Sequence, residues 1–335
     1  MTKKQLVTQQ DHKNLLTWYK QNLRSLPWRK NHDPYRIWIS EVMLQQTTVA
    51  AVIPYFEKFM HHFPTVESLA NSTIEHVYEL WSGLGYYSRA RNIHKAAQLI
   101  ANHGFPKTFS ELIELPGFGP YTSRAVSSIA HNEAVGVLDG NVIRILTRRY
   151  GLHSQWWKSP ARQALQNLAD QLAQLGDPRH LNQAMMELGA TICTPQNPLC
   201  ALCPWKNNCV AFENKLQSKL PLPKPRKKLE PWIWDIELYR IQNKILLIEN
   251  DYAPFLKKQK IFPGTIQKSK SSPTDYDLKH TITHHNIFIR IHNKSKLKHS
   301  NPHWVNIDEL KKVNPSIILS KVLNYEKNRS SNKNK

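Results

Sequence analysis

All four cysteines of this chain fall between Cys193 and Cys209, in the order Cys193-x6-Cys200-x2-Cys203-x5-Cys209. That layout is wrong for a secreted disulfide scaffold and right for a single metal or cluster site. Four thiolates in so short a stretch can close around one tetrahedral zinc or one cubane iron-sulfur cluster, since both want four soft ligands. Structural zinc sites usually pair two short Cys-x2-Cys knuckles, so outer intervals of six and five take weight from the zinc reading.

Upstream of the cysteines the apolar residues recur at helical spacing and nothing alternates with a period of two. Residues 12–24 read as an amphipathic helix carrying Leu15, Leu16, Trp18, Tyr19 and Leu23, stopped by Pro27. From Tyr35 to Phe63 the pattern predicts two helices separated near Pro54. Further helical stretches follow up to Thr191, so residues 1–216 read as one all-α region that includes the cysteine loop. Residues 217–230, with three prolines and a run of cations, have the composition of an extended basic linker. Beyond it the texture turns to short β-like runs at Trp232–Ile241, Lys244–Ile248, Thr281–Ile291 and Trp304–Asn306, then a helix over Ser316–Tyr325. Residues 231–325 are therefore expected to be a smaller α+β domain, and 326–335 a disordered basic tail. The fold class is multidomain.

Charge says what such a chain meets. With 46 Lys+Arg against 25 Asp+Glu the formal charge is +21, which makes a polyanion the expected partner. The excess is +7 over residues 1–218 and +14 over 219–335. No apolar run approaches a membrane span and the N-terminus lacks the apolar core of a signal peptide, so a soluble cytoplasmic protein, without membrane contact, is expected.

Chemistry concentrates in two places. In Leu115–Asp139, Gly117, Gly119 and Pro120 open a helix, putting several backbone N–H groups where an anion such as a phosphate binds well. The same stretch ends on Asp139, an acid in apolar sequence that suits a helix N-cap. The second acid, Glu41, sits within Trp38-Ile39-Ser40-Glu41-Val42-Met43. Buried there it would cost several kcal/mol to ionise, so it either turns outward or holds a proton in a pocket.

The cysteine spacing resembles that of the helix-hairpin-helix DNA glycosylase superfamily, and SEVMLQQT, with LPWR upstream and GLGYYSRARN downstream, resembles its MutY adenine DNA glycosylase branch. The resemblance implies an all-α helix-hairpin-helix glycosylase domain with a 4Fe-4S cluster held by Cys193, Cys200, Cys203 and Cys209, and a hairpin at Leu115–Thr122 that grips a DNA phosphate through Gly117 and Gly119. It makes Glu41 the general acid and Asp139 the stabiliser of an oxocarbenium-like sugar, with Tyr121 and Asn141 flanking them. Arg29 and Gln183 match positions that contact the extruded adenine. Gln46 and Thr47 are expected at the base stack, and Leu84 and Tyr86 at the base opposite the flipped nucleotide. Glycosylases that also cleave the strand carry a lysine where this chain has Tyr121, and no lysine lies between Lys107 and Lys158. A monofunctional enzyme follows, acting as a monomer in bacterial cytoplasm or nucleoid on double-stranded DNA with adenine opposite 8-oxoguanine or guanine. The competing readings are an endonuclease III-like glycosylase/lyase and a non-catalytic iron-sulfur DNA-binding protein.

MutY proteins also carry a Nudix-like C-terminal domain that senses 8-oxoguanine. Here its recognition loop is altered: His280-Thr281-Ile282-Thr283-His284-His285 lacks the family's aromatic but keeps the Thr283 hydroxyl and the His284 imidazole. Residues 255–280 contain no glutamate, which argues against a Nudix metal helix and pyrophosphatase activity.

Overall fold

The computed structural model describes residues 8–333 apart from 226, 258, 297–301 and 315, and from residue 330 onward the backbone alone. The chain divides into two compact units, Met1–Pro225 and Arg226–Lys335.

The first unit is helical. Its elements are α1 (Gln9–Asn22), a 3-10 turn at Pro27–Arg29, α2 (Pro34–Met43), α3 (Val49–His62), α4 (Val66–Ala70), α5 (Ile74–Trp81), α6 (Ser88–His103), α7 (Phe109–Leu112), α8 (Pro120–His131), α9 (Gly140–Tyr150), α10 (Ser159–Gln174), α11 (Pro178–Thr191) and α12 (Val210–Glu213). Helix starts follow local chemistry. Asp33 accepts from the Tyr35 amide at 2.9 Å with Pro34 at the first helical position, and Thr8, Thr65 and Thr108 each form reciprocal capping boxes.

Helix α2 is the centre of this unit, because Tyr35 and every residue from Ile37 to Met43 are buried. A helix buried on almost all sides leaves a polar residue no route to solvent, so Ser40 donates to the Ile37 carbonyl at 2.8 Å and Glu41 must find partners of its own. Trp38 stacks on Phe118 at 5.0 Å between centroids, which fixes the α7–α8 turn against α2. The break in the 35–63 region falls at residues 44–48 rather than near Pro54, which lies inside α3.

The second unit is built on a mixed sheet of β1 (Glu230–Ile241), β2 (Lys244–Glu249), β3 (Lys260–Ile261), β4 (Gly264–Lys268), β5 (Leu278–Ile282), β6 (His285–Lys294) and β7 (His303–Asn306). Strands run β3-β2-β1-β6-β5, with β4 also pairing β1 and β7 pairing β2. The β1–β6 pairing is parallel and the others are antiparallel. Trp234, Ile236, Ile287 and Ile289 from the central pair form a core with Ile318, Leu319 and Val322 of the final helix. After a short α13 (Leu310–Val313), that helix is α14 (Ile317–Lys333). The run expected over Thr281–Ile291 is two strands, with a turn at Thr283–His284.

Two boundaries differ from the sequence reading. The linker is not free along its length: Leu220 is buried, its carbonyl accepts from Arg148 Nε at 2.9 Å, and the Leu222 carbonyl accepts from Trp156 Nε1 at 2.9 Å. Proline-rich backbone leaves carbonyls without backbone partners, and side-chain donors of the helical unit take them. The tail expected to be disordered is helical through Lys333, because α14 is anchored by buried Ile318, Leu319 and Val322 and then tied by its polar residues. Tyr325 donates to Asp277 at 3.1 Å, and Glu326 accepts from Asn293 at 3.1 Å. No helix among the described residues is long and apolar enough to cross a membrane.

Candidate active site

A cleft of about 750 Å³ in the helical unit is lined by residues from the 3-10 turn, α2, the α2–α3 turn, α8, the start of α9, and α11. That is the size of an ordinary small-ligand site. Eight residues singled out from the sequence meet there: Arg29, Glu41, Gln46, Thr47, Tyr121, Asp139, Asn141 and Gln183.

Glu41 projects into the cleft from the buried α2 and is 6% exposed. The Tyr121 hydroxyl donates to Glu41 Oε2 at 2.6 Å and also approaches Met186 Sδ at 3.1 Å. Burial pushes the Glu41 carboxyl up to about 7, the Tyr121 hydrogen bond opposes the rise, and the nearby Asp139 adds to it. The carboxyl is therefore poised to carry a proton near neutral pH. Tyr121 is itself raised well above the ordinary phenol range by burial and by the two acids, so it stays a donor.

Asp139 caps α9, accepting from the Val142 amide at 2.8 Å through Oδ1 and from Asn141 Nδ2 at 2.9 Å through Oδ2. A helix-cap position favours the ionised form, and these bonds do pull its pKa down. Burial outweighs them, so the net shift is upward. Asn141 is held in turn by Arg144, whose guanidinium donates to Asn141 Oδ1 at 2.8 Å, the Gly189 carbonyl at 2.8 Å and the Cys193 carbonyl at 2.6 Å. One buried arginine thus links the acid cap to the start of the cysteine loop.

On the opposite wall Glu187 of α11 is fully buried and takes both Arg24 (Nε to Oε1, 2.5 Å) and Arg29 (Nη2 to Oε2, 2.8 Å). Burial would raise its pKa, but the two arginines hold it below the ordinary carboxylate value. Arg29 therefore reaches the cleft as half of an ion-pair cluster. Gln183, one helical turn earlier on α11, accepts from the Tyr19 hydroxyl at 3.2 Å. Sequence reasoning missed Glu187, Arg24 and Met186. A signal for Glu187 was present, an acid within Ala-Met-Met-Glu-Leu-Gly four residues past Gln183, of the same kind that marked Glu41.

Gln46 occupies the α2–α3 turn with φ 61°, a left-handed backbone uncommon outside glycine and a mark of local strain. Arg89, also missed, staples this turn to the next: it donates to the carbonyls of Val42 at 2.6 Å and Gln45 at 2.9 Å, and to Leu84 at 2.9 Å. Leu84 is buried and Tyr86 is half exposed, and neither lines the cleft. The α7–α8 hairpin lies beside these turns through Trp38 and Phe118. Gly117 has φ 83°, and a side chain there would meet Asn92 Cβ at 2.7 Å. Gly119 caps α8 with no side-chain partner, which leaves the first-turn amides to an outside acceptor.

The four cysteines line one small cavity together with Arg148, Ile192 and Gln217. Arg148 donates to the Thr194 carbonyl at 2.7 Å and to Cys193 Sγ at 3.5 Å, while Arg149 bonds the Asn208 carbonyl and pairs with buried Asp11 at 3.1 Å. Two arginines of α9 therefore shape the loop. Burial, with the neighbouring thiols adding, pushes Cys203 up to about 12. Four sulfurs lining one cavity are the soft donor set that a metal ion or an iron-sulfur cluster takes.

In the second unit, Thr283 and His284 form the β5–β6 turn. Thr283 has φ 56° and donates to the Ile282 carbonyl at 2.7 Å, and it lies 3.4 Å from His284 Nδ1.

A family model described as HhH-GPD superfamily base excision DNA repair protein matches residues 39–173. The adenine DNA glycosylase of Buchnera aphidicola subsp. Schizaphis graminum is 39% identical over 277 residues, covering 79% of this chain and 80% of that protein. The adenine DNA glycosylase of Rattus norvegicus is 44% identical over 220 residues, covering 62% of this chain and 43% of that protein. Among solved structures, a thermostable thymine-DNA glycosylase aligns with a TM-score of 0.56 at 27% identity, covering 62% of this chain and 97% of that one.

Proposed function

Because the chain belongs to the adenine DNA glycosylase family, an N-glycosyl hydrolase of base excision repair, we propose a specific division of labour within its cleft and a specific substrate. The enzyme hydrolyses the bond between adenine and deoxyribose, and we assign it adenine opposite 8-oxoguanine or guanine. The carrying observation is a buried Glu41 carboxyl with a pKa of about 7, facing the same cleft as Asp139.

Adenine leaves poorly as an anion. Glu41, protonated near neutral pH, delivers a proton to a ring nitrogen of the extruded base so that it departs neutral. Tyr121 donates to Glu41 Oε2, which fixes the carboxyl rotamer. As the glycosidic bond breaks, positive charge grows on the sugar and Asp139 stabilises it. Charge appearing beside Asp139 favours its ionised form, and the Val142 amide and Asn141 keep its oxygens in place. Arg29, held by Glu187, and Gln183, held by Tyr19, contact the adenine edge. Water then attacks C1′. The base must leave the duplex to reach this cleft, which is easier from a mispair.

For the DNA contacts, Gly117 and Gly119 present amides to a backbone phosphate, Gln46 and Thr47 meet the opened base stack, and Leu84 and Tyr86 meet the opposite base. Cys193, Cys200, Cys203 and Cys209 would hold a 4Fe-4S cluster, whose contribution is structural and DNA-positioning. The second unit we read as Nudix-like: a mixed sheet around a parallel β1–β6 pair with a terminal helix supports that reading. Thr283 and His284 at its β5–β6 turn would hydrogen-bond the oxidised guanine. The enzyme acts as a monomer.

The test is a duplex with adenine opposite 8-oxoguanine, sampled with and without hot alkali. Free adenine with nicking only after alkali is expected. Nicking without alkali would make the enzyme a lyase, and intact DNA would remove the catalytic reading.

A further inference from the structure

Away from the cleft and the cysteine loop, Glu230, His284 and His285 bring one ligand atom each to within 4.8 Å of one another. We infer that these three residues form a binding site for a divalent transition cation of the zinc class on the second unit. Two imidazoles and a carboxylate suit such an ion and leave coordination positions for water.

The backbone sets the three residues together independently of any ion. Strands β1 and β6 run parallel with Glu230 opposite His285, and the Glu230 amide donates to the His284 carbonyl at 2.8 Å. The His284 and His285 rings lie 4.1 Å apart between centroids. Two details then point to a ligand. His285 Nδ1 is buried with no hydrogen-bond partner, although it faces Glu230 Oε2 at 3.8 Å. That separation is too long for a hydrogen bond, and an orphaned buried ring nitrogen is costly unless something meets it. Nitrogen and oxygen ligands of one tetrahedral ion lie roughly 3.4 Å apart, so a small side-chain rotation closes the site. Meanwhile Lys268 bonds the other oxygen, Oε1, at 2.8 Å. It orients the carboxylate and leaves Oε2 directed at the histidines, as outer partners of metal ligands do.

The site shares the His284 imidazole with the lesion contact of the proposed function, and a different measurement separates the two readings. Untagged full-length protein is stripped of loosely held metal, then equilibrated by dialysis against Zn²⁺, with iron content measured in parallel. One Zn²⁺ per chain is expected beyond any bound elsewhere. That equivalent should weaken at least about tenfold in His284→Ala and in Glu230→Gln, and persist in His292→Ala, a histidine of β6 that pairs with Asp235 instead. His284 and Glu230 are partly exposed, and thermal unfolding of each variant confirms that it is folded. Identical Zn²⁺ stoichiometry and affinity in all four proteins, or no Zn²⁺ bound by the wild type, overturns the inference and leaves an ordinary ion pair with Lys268. Adenine release from the same samples reports separately on the proposed function.

Discussion

The cleft around Glu41 and the turn at Thr283–His284 use polar side chains in opposite ways. In the cleft each group is at least partly buried and held by a side-chain partner: Glu41 by Tyr121 and Arg29 by Glu187 from other helices, and Asp139 by Asn141 of the helix it caps. At the turn, Thr283 is exposed and its hydroxyl reaches the Ile282 carbonyl and the adjacent His284 ring, both immediate neighbours in sequence. Where water is excluded, fixed charges shift pKa values and stabilise developing charge strongly. At a solvated turn the same atoms offer discrimination worth one hydrogen bond. On the proposed function, the difference separates residues assigned to the chemistry from residues assigned to selecting among substrates.

That contrast can be broken at its strong end first. Glu41→Gln keeps the size and the Tyr121 contact but has no proton to give, so single-turnover adenine release should fall by about 10²–10⁴-fold while duplex affinity is kept. Retained turnover would remove the acid role. With the wild type, release should decline as pH rises through about 7, where Glu41 ionises. Stability follows the same group. Its folded pKa lies above the ordinary 4.5, so its contribution is intact below about pH 4.5 and lost as pH rises through about 7. Thermal unfolding of the wild type should worsen toward alkaline pH by on the order of 3 kcal/mol relative to the Gln variant. An unchanged gap between the two would mean that the carboxyl is not held protonated.

A second test addresses the opposite wall. Glu187→Ala leaves Arg24 and the partly buried Arg29 without their shared acid, and should cost about 3 kcal/mol in urea unfolding. A loss below about 1 kcal/mol would show the cluster to be solvated like the surface turn. The smallest effect is expected at the turn itself. Thr283→Ala should reduce the preference for 8-oxoguanine over guanine opposite adenine by at most about tenfold, the worth of one hydrogen bond, with the rate on the guanine mispair unchanged. An unchanged ratio takes this turn out of recognition.

How much of this was legible in the sequence depended on the range of the signal. Glu41 stood out because an acid among Trp, Ile, Val and Met is costly wherever it lies, and Asp139 because Asp-Gly-Asn before an apolar run is a local cap. Glu187 carried the same kind of signal and was missed, since its meaning depends on Arg24 and Arg29 more than 150 residues away. Arg89 gave no signal, because its role consists of backbone carbonyls on two turns. The terminal residues misled in the other direction: their composition reads as a disordered tail, yet a helix already anchored by three apolar residues continues to Lys333.

By itself the sequence determined the all-α to α+β switch, a break within residues 217–230, the grouping of the cysteines and which residues are candidates for the chemistry. These rest on periodicity, composition and residue type, all properties of short stretches. Only the tertiary structure decided that Glu41 is buried beside Asp139 rather than turned to solvent, and that burial outweighs the helix cap at Asp139. It also decided that a partnerless ring nitrogen of His285 faces Glu230. Desolvation depends on every element packed around a group, and no local stretch of sequence contains that sum.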